Sequence, residues 1–157
     1  MKDLIQAILN DPAFPAGIAW RRRLFYANET VISVGDTSNS FFLIEEGQLR
    51  VTVLVELGKH KKVHPGICDL GAGDIFGETC LLESGVRSAS IIAITNGCAV
   101  EIYAEKFNYY LETKPVQGHL FFKHLFAIMT DRLQRCNRRI ENLMVWGLKA
   151  YEIEKHL

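Results

Sequence analysis

The sequence has few of the features that mark secreted, metal-binding or membrane proteins. Only four of its 157 residues are cysteine and four are proline, and no two cysteines lie close together. Structural zinc sites and dithiol redox motifs need closely spaced ligands, so the cysteine pattern predicts neither. No apolar run reaches membrane-spanning length, and no charged-then-apolar signal segment opens the chain. We therefore expect a cytoplasmic protein with reduced thiols and no metal.

An excess of charge of either sign is also absent. Eighteen basic residues balance eighteen acidic ones, whereas binding to nucleic acid or to an anionic membrane usually needs a marked basic excess. The five histidines are scattered and no nucleophile motif accompanies them. We therefore expect no nucleic-acid or membrane partner in this chain, no catalytic residue and no enzymatic activity.

Short β-rich runs separated by glycine- and asparagine-bearing turns occupy residues 24–103. Such spacing predicts a mainly β protein and leaves open an antiparallel sandwich, a roll or a barrel. Helical spacing predicts a helix over residues 1–10 and a second over residues 105–111. Residues 13–23 are expected to form a loop or a short helix.

A long helix is predicted from about residue 116 to the C-terminus. Its apolar residues recur at alternating spacings of three and four, as in a coiled-coil seam, whereas its first turns can pack on the roll. The narrow stripe favours a parallel homodimer through residues 126–150 over a monomer. We therefore expect one domain in two parts, residues 1–115 with the roll and residues 116–157 with the dimerisation helix. The seam residues are Phe126, Met129, Leu133, Cys136, Ile140, Leu143, Gly147 and Ala150.

Residues 71–90 interrupt the strand series with a glycine-rich turn, one helical turn and an arginine beside small polar residues. Glu78 and Arg87 bracket the helical turn, nine positions apart. A guanidinium can hold a phosphate with two parallel hydrogen bonds, and a carboxylate can accept one from a sugar hydroxyl. The two side chains could instead form an ion pair that pins the loop, and the residues alone leave both interpretations open. Three apolar side chains are expected to anchor the segment in the core: Phe76, Leu81 and Leu82.

The segment resembles the phosphate-binding cassette, here residues 74–90, of the cyclic nucleotide-binding domain family. That family includes the protein kinase A regulatory subunits and the catabolite activator proteins. The resemblance implies an antiparallel, jelly-roll-like β-roll of about eight strands with an N-terminal helix and a long C-terminal helix. Three further segments match its pattern in the right order: residues 33–44, 46–51 and 70–78. The residues that carry the resemblance are Phe76-Gly77-Glu78, Cys80-Leu81-Leu82 and Arg87-Ser88-Ala89.

The resemblance implies a role for each matching position. Arg87 would hold the cyclic phosphate and Glu78 the ribose 2′-hydroxyl of cAMP or cGMP, with no other cofactor. The family often has proline where Val86 stands, and we expect this departure to soften the loop without abolishing binding. Cys80 stands where alanine is commoner, which exchanges one small residue for another. The remaining implied contacts are Gly77 through its backbone near the ribose, Thr79 and Cys80 through backbone N–H groups, Ser88 through its hydroxyl, and Val51, Ile67 and Leu70 as apolar walls around the base.

The long helix resembles the dimer helix of the catabolite-activator branch. Asn137 stands where a base-reading residue lies in that branch, so base choice between cAMP and cGMP stays open. That branch continues into a winged helix-turn-helix after this helix, and we expect none in this chain. The resemblance implies a regulatory module that moves its C-terminal helix against a protein effector. Two alternatives remain: a structural or interaction domain with an empty pocket, or a fragment of a transcription regulator.

Overall fold

The computed structural model describes residues 1–53, 55–57, 61–63, 65–82 and 85–154. The chain divides into two compact units, residues 1–115 and residues 116–157. Two residues of the predicted cassette, 83 and 84, lie outside the described residues. Residues 155–157 of the predicted terminal helix also lie outside them.

Helices precede and follow the strands, as the sequence predicts. The apolar face of the first helix is buried through Ile5, Ile8 and Leu9. The second helix follows the last strand directly, and the third begins at Pro115, where the ring's fixed φ and missing N–H suit a first helical position. The bounds are α1 Lys2–Leu9, α2 Ala104–Thr113 and α3 Pro115–Glu154.

The strands are short, and several contain only two or three residues. Three strands contain only two residues each, at positions 37–38, 75–76 and 85–86; the last two lie within the predicted cassette, and the first pairs with the last. The bounds are β1 Trp20–Phe25, β2 Thr30–Ile32, β3 Thr37–Ser38, β4 Ser40–Glu46, β5 Leu49–Thr52, β6 Val55–Leu57, β7 Lys61–Val63, β8 Gly66–Leu70, β9 Ile75–Phe76, β10 Gly85–Val86, β11 Ser90–Ala93 and β12 Gly97–Tyr103.

Eight of these strands form two four-stranded sheets. Their orders are β1-β12-β4-β9 and β2-β11-β5-β8, and each pairing is antiparallel. Two small ribbons pair β3 with β10 and β6 with β7. The predicted antiparallel β-roll with an N-terminal helix and a long C-terminal helix is confirmed.

The hydrophobic core of the roll draws side chains from both four-stranded sheets. Phe42 and Phe76, which are register partners on β4 and β9, stack with ring centroids 4.8 Å apart and planes 8° from parallel. Burying rings and branched chains from both sheets removes apolar area from water and stabilises their mutual packing. The cluster contains Phe25, Val31, Ile32, Phe42, Ile44, Leu49, Leu70, Phe76, Ile91, Ala93 and Ala99.

The prediction of a loop or short helix over residues 13–23 is wrong at its C-terminal end, where β1 begins at Trp20 and pairs with β12. The run of three arginines is stabilised as a strand by carboxylates from elsewhere in the chain. These ion pairs join Arg21 to Glu101 at 2.7 Å, Arg22 to Glu45 at 2.8 Å and Arg23 to Glu29 at 3.3 Å. None of these partners is adjacent in sequence, so local propensity could not reveal the strand.

An aromatic cluster fastens the N-terminal segment to α2. The ring of Phe14 meets those of Phe107 and Tyr110 edge-on, and Phe107 also meets Phe41 of β4. The Tyr110 hydroxyl donates to Asp11 Oδ2 at 2.7 Å. Burial, followed by this hydrogen bond, raises the pKa of Tyr110 to about 12. The hydrogen bond between Tyr110 and Asp11, called the latch below, therefore adds a polar interaction to an otherwise apolar contact.

The second unit is the helix α3. Its predicted seam residues are largely exposed in the single chain, including Phe126 at 75%, Leu133 at 61% and Leu143 at 71%. The side chain of Ala150 lies outside the described side chains. On the polar surface of the helix, Arg135 and Asp131 form an ion pair at 2.6 Å between positions i and i+4.

Candidate functional site

The predicted cassette runs from β9 through a single helical turn to β10. Gly77 follows β9 in the left-handed region, with φ of +75°, a conformation that glycine adopts without the penalty of a Cβ. A 3₁₀ helix, Glu78–Leu81, comes next, which confirms the predicted helical turn. Arg87, ten positions after Gly77, donates to the Gly77 carbonyl and so lies beside it.

Two of the three predicted anchors are buried, and the third is not. Phe76 and Leu81 are buried in the fold, whereas Leu82 is 81% exposed. The prediction for Leu82 is wrong: Leu82 follows the last residue of the 3₁₀ helix, and its side chain lies in solvent while that of Leu81 is buried. The helical turn ends at Leu81, so the leucine pair does not anchor as a unit.

Arg87 lies at the centre of the site and is 7% exposed. Its Nη2 donates to the Ser40 carbonyl at 2.7 Å and its Nη1 to the Gly77 carbonyl at 3.2 Å. The guanidinium carbon lies 5.8 Å from the centroid of the Phe42 ring. Two of five N–H bonds are therefore used, and within the described residues the other three have no protein acceptor.

The ion pair between Glu78 and Arg87, one of the two interpretations of the sequence, does not form. Among the residues that the structure describes, no carboxylate lies within ion-pair distance of the Arg87 guanidinium. Burial lowers the pKa of Arg87, while nearby Cys80 and the carboxylates of Glu101, Asp36 and Glu78 act in the opposite direction. The site therefore holds a buried cation that is compensated only at a distance.

The backbone of Arg87 is fixed as firmly as its side chain. Its N–H donates to the Asp36 carbonyl, and its own carbonyl accepts from the Gly35 N–H, both at 2.9 Å. The β3–β10 ribbon pairs Val86 with Thr37 just before the arginine. Where the family often has proline, this chain thus has a residue whose backbone belongs to a short strand.

The other predicted residues of the cassette line its turn. Glu78 opens the 3₁₀ helix and is partly buried, whereas Thr79 and Ser88 are exposed. Cys80 is buried at 5% exposure, which agrees with a position that takes a small side chain. The structure thus brings Gly77, Glu78 and Arg87 together at one end of the turn.

The three predicted base-wall residues lie on the β5–β8 pair. Leu70 belongs to the hydrophobic core, and Val51 is partly buried against it. The register shifts beside Val51, so that Cys68 and Gly66 have partners on β5 while Ile67 has none. Such a bulge changes the direction of a side chain. Ile67 is partly buried there.

Asn137, the predicted base-reading residue, is exposed on α3 in the second unit. Its assignment to the site stays a prediction.

Sequence reasoning missed Ser40, Phe42 and Glu101 as parts of the site. Ser40 supplies a carbonyl to Arg87, and Glu101 accepts a hydrogen bond from the Ser40 hydroxyl at 3.0 Å. Glu101 lies on β12, well after the cassette in sequence. Cross-strand register brings these residues together, and no local motif announces it.

A cavity of about 500 Å³ lies on another side of the turn, against the start of α2. Of the predicted site residues, it includes only Cys80. Exposed Leu82 lies at this cavity, and the Asn108 side chain bridges the two elements by donating to the Leu81 carbonyl at 3.1 Å. Among the residues that line it, the cavity therefore shares Cys80 alone with the predicted nucleotide site.

Comparison with known proteins places this geometry in a family. The family model for the cyclic nucleotide-binding domain matches residues 22–114. The chain belongs to the cyclic nucleotide-binding domain family. The match covers the roll, the cassette and α2.

Individual relatives agree with that assignment. The chain is 26% identical over 124 residues to the cyclic AMP receptor protein of Thermus thermophilus, covering 79% of this chain and 54% of the relative. It is 32% identical over 84 residues to the cAMP-dependent protein kinase regulatory subunit of Dictyostelium discoideum, covering 54% of this chain and 25% of the relative. The chain spans about half the length of the first relative and a quarter of the second.

A solved structure shows the same architecture. The crystal structure of the Thermus thermophilus catabolite activator protein superposes with a TM-score of 0.63 at 25% identity. The superposition covers 85% of this chain and 63% of that one.

Proposed function

We propose that this chain is a non-catalytic regulatory module that binds a cyclic nucleotide, cAMP or cGMP, at the cassette. The observation that carries the proposal is the state of Arg87. A buried cation without a paired carboxylate is unfavourable unless a partner supplies the missing charge. Three unused N–H bonds and one positive charge suit a singly charged cyclic phosphodiester.

The remaining roles follow from the family pattern. Glu78, partly buried beside the arginine, would accept from the ribose 2′-hydroxyl. The other proposed contacts are of four kinds. They are backbone contacts from Gly77, Thr79 and Cys80, a hydroxyl contact from Ser88, apolar contacts around the base from Val51, Ile67 and Leu70, and a contact at the edge of the base from Asn137.

Isothermal titration calorimetry with cAMP, cGMP and 5′-AMP tests this proposal. We expect saturable binding of at least one cyclic nucleotide, with one site per chain, and weaker binding of 5′-AMP. Arg87→Ala should weaken binding by about 100-fold or more, because a buried phosphate would lose its charged partner. Arg22→Ala, which removes an arginine paired with Glu45, is the matched control and should bind normally.

Two results would reject the assignment. The absence of heat at millimolar concentrations of both cyclic nucleotides would favour a structural or protein-interaction domain on the same fold. Unchanged affinity in Arg87→Ala would mean that the nucleotide binds elsewhere.

We further propose that the module is a homodimer through the 126–150 seam. Apolar side chains that repeat at spacings of three and four and are exposed in the single chain support this, because a two-helix seam would bury such a narrow stripe. A dimer seam leaves the rest of the helix surface available to a protein effector.

The module would signal by moving its C-terminal helix. A ligand can bias two helix positions only by binding one of them more tightly. Trp146 of α3 is 77% exposed and reports on this helix in a Trp20→Phe background, because the chain has two tryptophans. We expect its emission to change on saturation with ligand; an unchanged spectrum at full occupancy would count against helix movement.

A further inference from the structure

A hydrogen-bonded network of polar residues connects Arg87 with the surface of the roll. Ser40, Thr52, Arg87 and Glu101 are the four polar residues that are buried in the described part of the chain. Three of them, Ser40, Arg87 and Glu101, are connected by hydrogen bonds. Buried polar groups are stable only when they are satisfied, so this connection indicates that the three residues act together.

The hydrogen bonds of this network lead from the Arg87 guanidinium to the surface. Arg87 Nη2 donates to the Ser40 carbonyl at 2.7 Å, and Ser40 Oγ donates to Glu101 Oε1 at 3.0 Å. Glu101 Oε2 accepts from Arg21 Nε at 2.7 Å. The side chain of Glu101 is 10% exposed, whereas that of Arg21 is 61% exposed.

The charged groups of this network are screened by solvent to different extents. Glu101 is buried, so its field reaches Arg87 with little screening by water or salt. Arg21 lies largely in solvent, which weakens the compensation it gives to Glu101 at the depth of Arg87. Among the three carboxylates that favour the charged form of Arg87, Asp36 is exposed and Glu78 is partly buried. Glu101 is therefore the least screened of the three.

We propose that Glu101 is the internal counter-charge of Arg87 and thereby limits how tightly the pocket holds an anionic ligand. The inference rests on the proposed function, in which Arg87 binds the cyclic phosphate. In the ligand-free chain, the carboxylate stabilises the buried guanidinium. In the complex, the same carboxylate repels the phosphate that has taken over this task. Glu101 thus raises the stability of the free fold and lowers ligand affinity.

Glu101→Gln isolates the charge, because the amide keeps the shape and both hydrogen bonds. Its oxygen can accept from Arg21, and its NH₂ can donate to the Ser40 hydroxyl, which also accepts. We expect the Kd for the better of cAMP and cGMP to fall by about threefold to tenfold, as loss of a repulsive charge at interior dielectric implies. The melting temperature of the ligand-free chain should fall at the same time.

Glu45→Gln is the matched control. Glu45 lies on β4 and accepts two hydrogen bonds from Arg22 of β1 at 2.8 and 3.1 Å. The Glu45→Gln variant therefore loses a comparable ion pair, and Glu45 is not part of the hydrogen-bonded network that includes Arg87. We expect unchanged affinity in this variant. Tighter binding together with lower stability is a combination that a purely structural role for Glu101 does not produce.

A double-mutant cycle without ligand separates this inference from the proposed function. If Glu101 compensates Arg87, Glu101→Gln should destabilise the wild-type chain more than it destabilises Arg87→Met. Coupling without any nucleotide binding would reject the proposed function and leave the counter-charge in place. Absence of coupling would overturn the inference. Should Arg87→Met fail to fold, affinity decides: equal or weaker binding by Glu101→Gln than by wild type overturns it.

Discussion

Gly77 and Arg87 are in direct contact, and the contact requires that Gly77 has no side chain. The Gly77 carbonyl accepts from Arg87 Nη1 at 3.2 Å, and a Cβ built on Gly77 would collide with that same nitrogen. The residue also has φ of +75°. Two independent constraints, backbone conformation and the space that the guanidinium occupies, therefore select glycine here.

Gly77→Ala should lower both stability and ligand affinity. The left-handed backbone costs a non-glycine residue about 1 kcal/mol, and the new methyl group would displace the guanidinium. We expect cyclic nucleotide to bind about tenfold more weakly or worse, because a misplaced guanidinium loses its paired hydrogen bonds. Urea unfolding and calorimetry measure the two effects.

Gly17→Ala is the control for that experiment. Gly17 has φ of +81° and nothing within 4 Å of a built Cβ. It should lose similar stability and keep normal affinity. Normal affinity in Gly77→Ala as well would contradict the contact with Arg87.

The adjacent leucines of the turn should differ sharply in their contributions to stability. Leu81 is 5% exposed and Leu82 is 81% exposed. Leu81→Ala should lower the free energy of unfolding by about 2–4 kcal/mol, as expected for a buried leucine. Leu82→Ala should change it by less than about 0.5 kcal/mol, as expected for an exposed site. Similar losses in the two variants, measured by urea unfolding, would contradict the orientation of the turn.

The latch between Tyr110 and Asp11 predicts a specific loss of stability at alkaline pH. The folded chain raises the pKa of Tyr110 from 10.0 to about 12, so above pH 10 the unfolded tyrosine ionises while the folded one keeps its proton. Unfolding then releases a proton, and stability falls as pH rises toward 12. Tyr110→Phe should be about 1 kcal/mol less stable than wild type at pH 7, with a gap that narrows from pH 10 upward.

Tyr109→Phe is the control for the latch, because Tyr109 is its neighbour and is 69% exposed. Its difference from wild type should stay constant across the same pH range. A constant difference for Tyr110→Phe would mean that the raised pKa contributes nothing to stability.

The proposed dimer predicts a disulfide between two copies of Cys136. Residues of a parallel two-stranded seam face their counterparts, and Cys136 is exposed in the single chain. Cys68 is also exposed, so Cys68→Ser should cross-link fully under mild oxidation, whereas Cys136→Ser should not. Non-reducing electrophoresis at micromolar concentration measures this. A cross-link that persists in Cys136→Ser, or its absence in Cys68→Ser, would place the interface elsewhere.

Local patterns predicted the antiparallel strands, and the resemblance to the family predicted the roll and the cassette. Glycine-bearing turns at regular intervals indicated the strands, and the residues from Phe76 to Ala89 carried the resemblance. These features depend on residues near one another in sequence. The helix spacing of Ile5, Ile8 and Leu9 is equally local and predicted α1 correctly.

Interactions between distant residues could not be predicted in the same way. The strand at Arg21–Arg23 is defined by its pairing with β12, which lies far along the chain, and the acceptor for Arg87 Nη2 is a carbonyl 47 positions away. Main-chain acceptors carry no sequence signal, because each residue has one. Leu82 was assigned to the core because it is apolar and adjacent to Leu81, and the sequence does not show that the helical turn ends between the two.

The use of carbonyls to hold Arg87 has a consequence for evolution. Both acceptors, at Ser40 and Gly77, persist whatever side chain a mutation introduces, so drift at neighbouring positions cannot delete them. Selection on the anchor is thereby concentrated on the arginine itself and on the absence of one methyl group at Gly77. The surrounding side chains are left to diversify, and the same anchor can be kept while the ligand and the output change.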